Sequence, residues 1–153
     1  MPTTEETPQL QVKSATRANL GFPLAKASQR WNELLGAHFS EHGYSEVRPS
    51  YGSVLLPLFE EDGLRMGEIA SRARLSKQTM TTLVRLAERD GLVTRAADPG
   101  DGRATRIFLT RRAREFAQVA DTVVERLEER VDEVLGREQT AGLRSALSVL
   151  MEL

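Results

Sequence analysis

Apolar positions in this chain recur at helical spacing over most of its length, with one interruption. Leu24, Ala27, Trp31, Leu34, Leu35 and Phe39 follow a helical period from about Leu20, and Gly43 is placed to stop that helix. Pro49 suits the first turn of a second helix that carries Val54, Leu55, Leu58 and Phe59. Pro57 should kink or shorten it, and Asp62-Gly63 ends it. A short helix is predicted over 66–73, with Ile69 and Ala70 inward. Another follows from about Lys77 to Asp90, where Met80, Leu83, Val84 and Ala87 share one face. Ser76 is its expected N-cap and Gly91 its C-terminal stop.

The interruption comes next. Leu92-Val93-Thr94-Arg95 reads as a strand, 98–102 (DPGDG) as a turn, and Thr105 to Leu109 as a returning strand. From Thr110 the helical period resumes through Phe116, Ala120, Val123, Leu127, Val131 and Val134, until Gly136 breaks it. A last helix carries Leu143, Ala146, Leu147, Leu150 and Met151. The expected fold is mainly α with a small β-hairpin: a winged helix-turn-helix core flanked by N- and C-terminal dimerisation helices. The boundaries implied are a flexible tail over 1–16, an N-terminal dimerisation helix within 17–47, the winged helix-turn-helix over 48–110, and C-terminal dimerisation helices over 111–153. An apolar stripe this long on one helix asks for a partner helix, which predicts a homodimer.

Composition narrows the function. The 153 residues hold no cysteine, which excludes disulfides and thiolate metal sites. No apolar run is long enough to span a bilayer and no signal peptide is visible, so a soluble, cytoplasmic protein without membrane attachment is expected. Net charge is −1, yet its distribution is uneven. Residues 65–114 hold 12 Lys and Arg against 5 Asp and Glu, whereas the flanking segments are acidic. A cationic middle of this kind is suited to phosphates.

The helix opening at Ser76 has the chemistry of a groove reader. With Met80, Leu83, Val84 and Ala87 inward, its other face offers Lys77, Gln78, Thr81, Thr82, Arg85 and Arg89. Gln78 can serve adenine bidentately and Arg85 guanine, while Thr81 and Thr82 can touch thymine methyls or phosphates. Ser76 and the first-turn amides, including that of Thr79, suit a phosphate. The ribbon carries Asp101, Arg103 and Arg106; an arginine-tipped hairpin can enter a narrow minor groove, with Asp101 orienting the Arg103 guanidinium. The bland alternative for each feature is a solvated helix face and a plain exposed hairpin.

Residues 64–110 resemble the MarR (multiple-antibiotic-resistance regulator) family. The carriers are LRMGEIASRARLSKQTMTTLVRLAERDGLV and then DPGDGRATRIFLT, with Asp101, Arg103, Leu109 and Thr110 matching the Asp-x-Arg and Leu-Thr elements of that family's wing signature. One departure is Ala113, where the family usually has glycine. The resemblance implies a homodimeric transcription regulator on a pseudo-palindromic operator in double-stranded DNA, usually a repressor. It also implies an interface built from the first helix and the last two.

Family members often hold a small-molecule effector between the dimer helices and the DNA-binding part. Phe22, Trp31, Leu35, His38 and Tyr51 are the candidate material here, suited to a small aromatic ligand. Packing in core and interface is the ordinary use of such residues. His38 and His42, with Glu41 and Glu46 nearby, make at most half a metal site, and no metal or cofactor is expected. No nucleophile–base pair or phosphate loop points to an enzyme. The competing function is a winged-helix module that binds protein instead of DNA.

Overall fold

A computed structural model describes residues 19–153; the tail expected over 1–16 lies outside the described residues. Helix α1 (Gly21–Glu41) leads into a 3-10 turn (Pro49–Tyr51) and α2 (Gly52–Glu60). A two-residue strand β1 (Leu64–Arg65) precedes α3 (Met66–Ala73) and α4 (Lys77–Arg89). The wing is β2 (Val93–Asp98) and β3 (Asp101–Leu109), followed by α5 (Arg111–Leu135) and α6 (Arg137–Leu150). The antiparallel sheet has the order β1-β3-β2.

Three details depart from the sequence reading. Pro49 opens a 3-10 turn and not the α-helix itself, and α2 runs through Pro57, which is buried within it before the helix stops at Glu60. The wing strands reach further than expected, because the reversal needs only Pro99 and Gly100. Its register runs from Val93 opposite Leu109 to Ala97 opposite Thr105, then shifts so that Asp98 faces Asp101. Strand β1, which pairs Leu64 with Ile107, was not anticipated; two residues carry no period to read.

The core gathers where the wing, α2, α3 and α4 meet. Tyr51, Val54, Ile69, Met80, Val84, Ala87, Leu92 and Ile107 are fully buried there. The start of α5 joins through Phe116, whose ring meets Phe39 edge-on at 4.8 Å and Tyr44 at 5.2 Å. Gly63, at φ 73°, is a position only glycine fills comfortably: an added Cβ would fall 2.8 Å from the Phe108 ring. Ala113 is fully buried at the wing-to-helix junction, and its amide donates to the Thr110 hydroxyl that caps α5. The junction therefore closes with alanine at this position. Among the described residues no helix is long and apolar enough to cross a membrane.

The outer helices are otherwise poorly covered. Leu20 and Phe22 at the start of α1, Val134 near the end of α5, and Leu143, Leu147 and Val149 on α6 are exposed. Helix α6 buries no residue at all.

Candidate nucleic-acid interface

Helix α4 is fixed from both ends and from beneath. At its start the Ser76 hydroxyl accepts from the Thr79 amide at 3.1 Å and donates to Thr79 Oγ1 at 2.8 Å. That satisfies one of the amides a helix start leaves unpaired. Beneath, Met80, Val84 and Ala87 lock the inner face into the core. At its end Asp90 accepts from the hydroxyl of fully buried Tyr51, and Arg89 Nε reaches the same carboxylate at 3.1 Å. Hydrogen bonds from Arg89 and then Tyr51 hold the Asp90 carboxyl below its ordinary range. Burial, followed by the Asp90 contact, pushes the Tyr51 phenol up.

The outer face of α4 is as the sequence suggested: Lys77, Gln78, Thr81, Thr82 and Arg85 are exposed together. Thr81 and Thr82 donate their hydroxyls to the carbonyls of Lys77 and Gln78, at 2.8 and 3.3 Å. Their methyls and remaining oxygen lone pairs are what they can offer a ligand. Thr79, also exposed, is absorbed by the Ser76 cap.

In the wing the sequence reading needs refinement. Asp101 accepts from the backbone amide of Arg103 at 3.1 Å, so it shapes the turn and does not grip the Arg103 guanidinium. The carboxylate that does grip arginine is Asp98, which is only 3% exposed. It accepts from Gly100 N at 2.8 Å, Arg106 Nε at 2.9 Å, and Arg65 Nε and Nη2 at 2.9 and 2.7 Å. These bonds, the Gly100 amide first, then Arg106 and Arg65, hold the Asp98 carboxyl far below the usual carboxylate range. Arg106, expected to meet DNA directly, thus also donates its Nε to a clamp beside the wing's turn, with its side chain still 41% exposed. The sequence reading does not single out Asp98 or Arg65. The legible signal was Asp-Pro-Gly, a turn in which aspartate accepts from the amide two residues on.

Internal pairing sorts the basic segment. Arg72 pairs with Glu61, Arg95 with Glu88, Arg111 with Glu115, and Arg112 with Glu46. No ion pair among the described residues engages Lys77, Arg85 or Arg103. The uncommitted cations of the head are therefore two on the outer face of α4 and one on the wing.

The remaining candidates are dispersed. Trp31, Leu35 and His38 are half-buried on α1, Phe22 is 58% exposed near its start, and Tyr51 is sealed in the core. Two surface clefts, one between α2 and α3 and one around the α5–α6 corner, are lined by none of them. His38 Nδ1 lies 3.2 Å from Glu41, while His42 Nδ1 turns to the His38 carbonyl at 2.8 Å. No cluster of three metal-ligating side chains occurs among the described residues.

Residues 49–104 match the model of the MarR family. The matched stretch runs from the 3-10 turn through α3 and α4 into β3, so the likeness to that family lies in the winged helix. Curated transcription regulators are similar to part of the chain. The HTH-type transcriptional regulator TtmR of Methylorubrum extorquens (strain PA1) is 48% identical over 61 residues, 40% of this chain and 31% of that one. The HTH-type transcriptional repressor Rv2887 of Mycobacterium tuberculosis is 36% identical over 74 residues, 48% of this chain and 53% of that one. The chain thus spans about a third to about half the length of the curated relatives it matches. Likeness in three dimensions reaches further. The structure of the transcriptional repressor CouR bound to a 23-mer DNA duplex superposes with a TM-score of 0.74 at 28% identity. That match covers 87% of this chain and 92% of CouR.

Proposed function

We propose that the chain is a homodimeric, sequence-specific DNA-binding transcription regulator that represses and is relieved by a small aromatic effector. The observation that carries the DNA reading is the sorting of cations. Internal carboxylates hold most arginines of the basic segment, while Lys77 and Arg85 on α4 and Arg103 on the wing stand free beside Gln78. A helix of this polarity, capped and rigid, fits a major groove; a thin ribbon with one free arginine fits the adjoining minor groove. The likeness to CouR, whose structure includes a duplex, supports the same use here.

Dimerisation follows from what one copy leaves open. The apolar residues of α1, the end of α5 and α6 lie exposed, and a second copy related by a two-fold axis would cover them. The same axis would give two α4 helices spaced for a pseudo-palindromic operator. Effector relief rests on the half-buried Trp31, Leu35 and His38 along α1, a surface that a second copy could roof.

The test is a selection of bound sequences from random duplex DNA, followed by salt titration. A two-fold symmetric consensus and a steep fall of affinity with salt are expected. A chain with no affinity for any duplex at low salt would be a protein-binding winged helix, and the DNA reading would be lost. Trp31 is the single tryptophan, so its fluorescence reports an aromatic ligand directly. Titration with simple benzoates and phenols should quench it and weaken operator binding together.

A further inference from the structure

The turn between α3 and α4 contains the one non-glycine residue with a left-handed backbone among the described residues: Arg74, at φ 54° and ψ 39°. Such a conformation is unfavourable for a side-chain-bearing residue, and glycine would adopt it freely. The Arg74 side chain reaches 77 residues along the chain, to the far end of α6. Its Nη1 donates to the Met151 carbonyl at 2.7 Å and its Nη2 to Glu152 Oε1 at 2.6 Å.

Met151 caps the C-terminus of α6. Carbonyls at such an end lack intrahelical partners and carry the negative pole of the helix dipole, so a guanidinium there is well placed. The rest of α6 has little else to fix it. It buries no residue, and its ion pair to α5, Arg144 with Glu128 at 3.2 Å, is exposed.

We propose that Arg74 is a positioning residue that straps the end of α6 to the helix-turn-helix turn, so that the placement of the C-terminal arm is transmitted to α4. Arg74 sits between two anchors. Its backbone amide closes α3 on the Ala70 and Ser71 carbonyls, and the following residues, Leu75 and Ser76, lead directly into the cap of α4. A shift of α6 therefore pulls on the turn that sets where α4 begins. The regulatory meaning of the strap rests on the dimeric DNA-binding reading above, in which α6 belongs to the interface. The contact itself does not.

Hydrogen exchange of the full-length chain, read on peptides spanning 70–76, tests it. Arg74→Gly keeps the left-handed backbone and removes the guanidinium; a second variant ends at Leu150. Each should speed exchange in that segment about two- to fivefold, as expected for loss of one partly exposed cation–helix-end contact. The combined variant should do no more than either alone, and Arg74→Lys should restore part of the protection. In the same variants, operator affinity should fall while exchange in the core of α2 stays unchanged. Unchanged exchange at 70–76 on removal of the last three residues would overturn the proposal, as would additive effects in the combined variant. If the unaltered chain bound no duplex, the function reading would fail, while the exchange result would still decide the strap.

Discussion

Helix α4 and the wing present free cations by different means. Helix α4 is held by apolar burial along its inner face and by a serine cap, and its outer Lys77 and Arg85 stay uncommitted. The wing projects away from the core, with Thr94, Arg95, Ala96 and Ala97 all exposed along β2. That stretch lacks hydrophobic bracing, although Val93, Ile107 and Leu109 bury the base of the wing in the core. A buried carboxylate, Asp98, stands in for a core there, gathering Arg65 from β1 and Arg106 from β3. Four arginines therefore lie on or beside the ribbon: Arg65 and Arg106 clamp Asp98, Arg95 pairs with Glu88, and Arg103 is left free. An arginine held by an internal carboxylate has fewer donors left for a phosphate than one that stands free.

The largest effect separating the two regions should come from the inner face of α4. Met80 is fully buried, and Met80→Ala should cost about 2–5 kcal/mol of unfolding free energy, seen by denaturant titration. A smaller loss would mean that α4 is held mainly by its ends.

Next in size is the division of labour at the interface. Arg85→Ala should cost about 1–3 kcal/mol, concentrated at particular base pairs of the selected operator. Arg103→Ala should weaken binding evenly across sequences and lower the salt slope by about one. Equal, sequence-independent losses from both would erase the distinction between a reading helix and a positioning wing. Arg106→Ala sharpens it further. Its effect should appear as faster amide exchange in the wing, because its Nε donates to Asp98.

Below that lies the anchor at the end of α4. Tyr51→Phe removes a buried hydroxyl donated to Asp90 and should cost about 1 kcal/mol of stability without altering which base pairs are preferred.

Much of this was legible in the sequence, for reasons that can be named. The bounds of α3 and α4 follow from short-range rules: the 3-4-7 spacing of Met80, Leu83, Val84 and Ala87, the serine before Lys77, and the glycine after Asp90. The outer face of α4 follows from the same periodicity. What escaped was long-range. Nothing local says that Asp98 would take Arg106 from across the hairpin and Arg65 from 33 residues earlier, so neither pairing is legible in the sequence. The fate of Tyr51 was equally hidden. As an isolated aromatic it suited a ligand pocket, and only the packing of the 3-10 turn against α4 turns its hydroxyl to Asp90. Spacing reveals which face of an element is buried, but it does not reveal which charge on another element arrives beside it.

The pH dependence of stability isolates the wing clamp. The native Asp98 carboxyl is held far below its ordinary value, by the Gly100 amide first and by the two arginines next. In the unfolded chain it titrates as an ordinary aspartate, so between the two values the unfolded state binds the extra proton. The stability Asp98 contributes is therefore complete above the ordinary carboxylate range and is lost only as pH falls through that range toward the depressed native value. Asp98→Asn keeps an oxygen for the Gly100 amide but cannot titrate. The stability difference between wild type and variant should be flat from neutral pH down to about pH 5 and should shrink below it. Wing amides of the wild type should stay protected throughout the flat region and those of the variant should not. A difference that already declined between pH 7 and 6 would mean that Asp98 is not the group bracing the ribbon, and the contrast between a core-held helix and a charge-held wing would lose its basis.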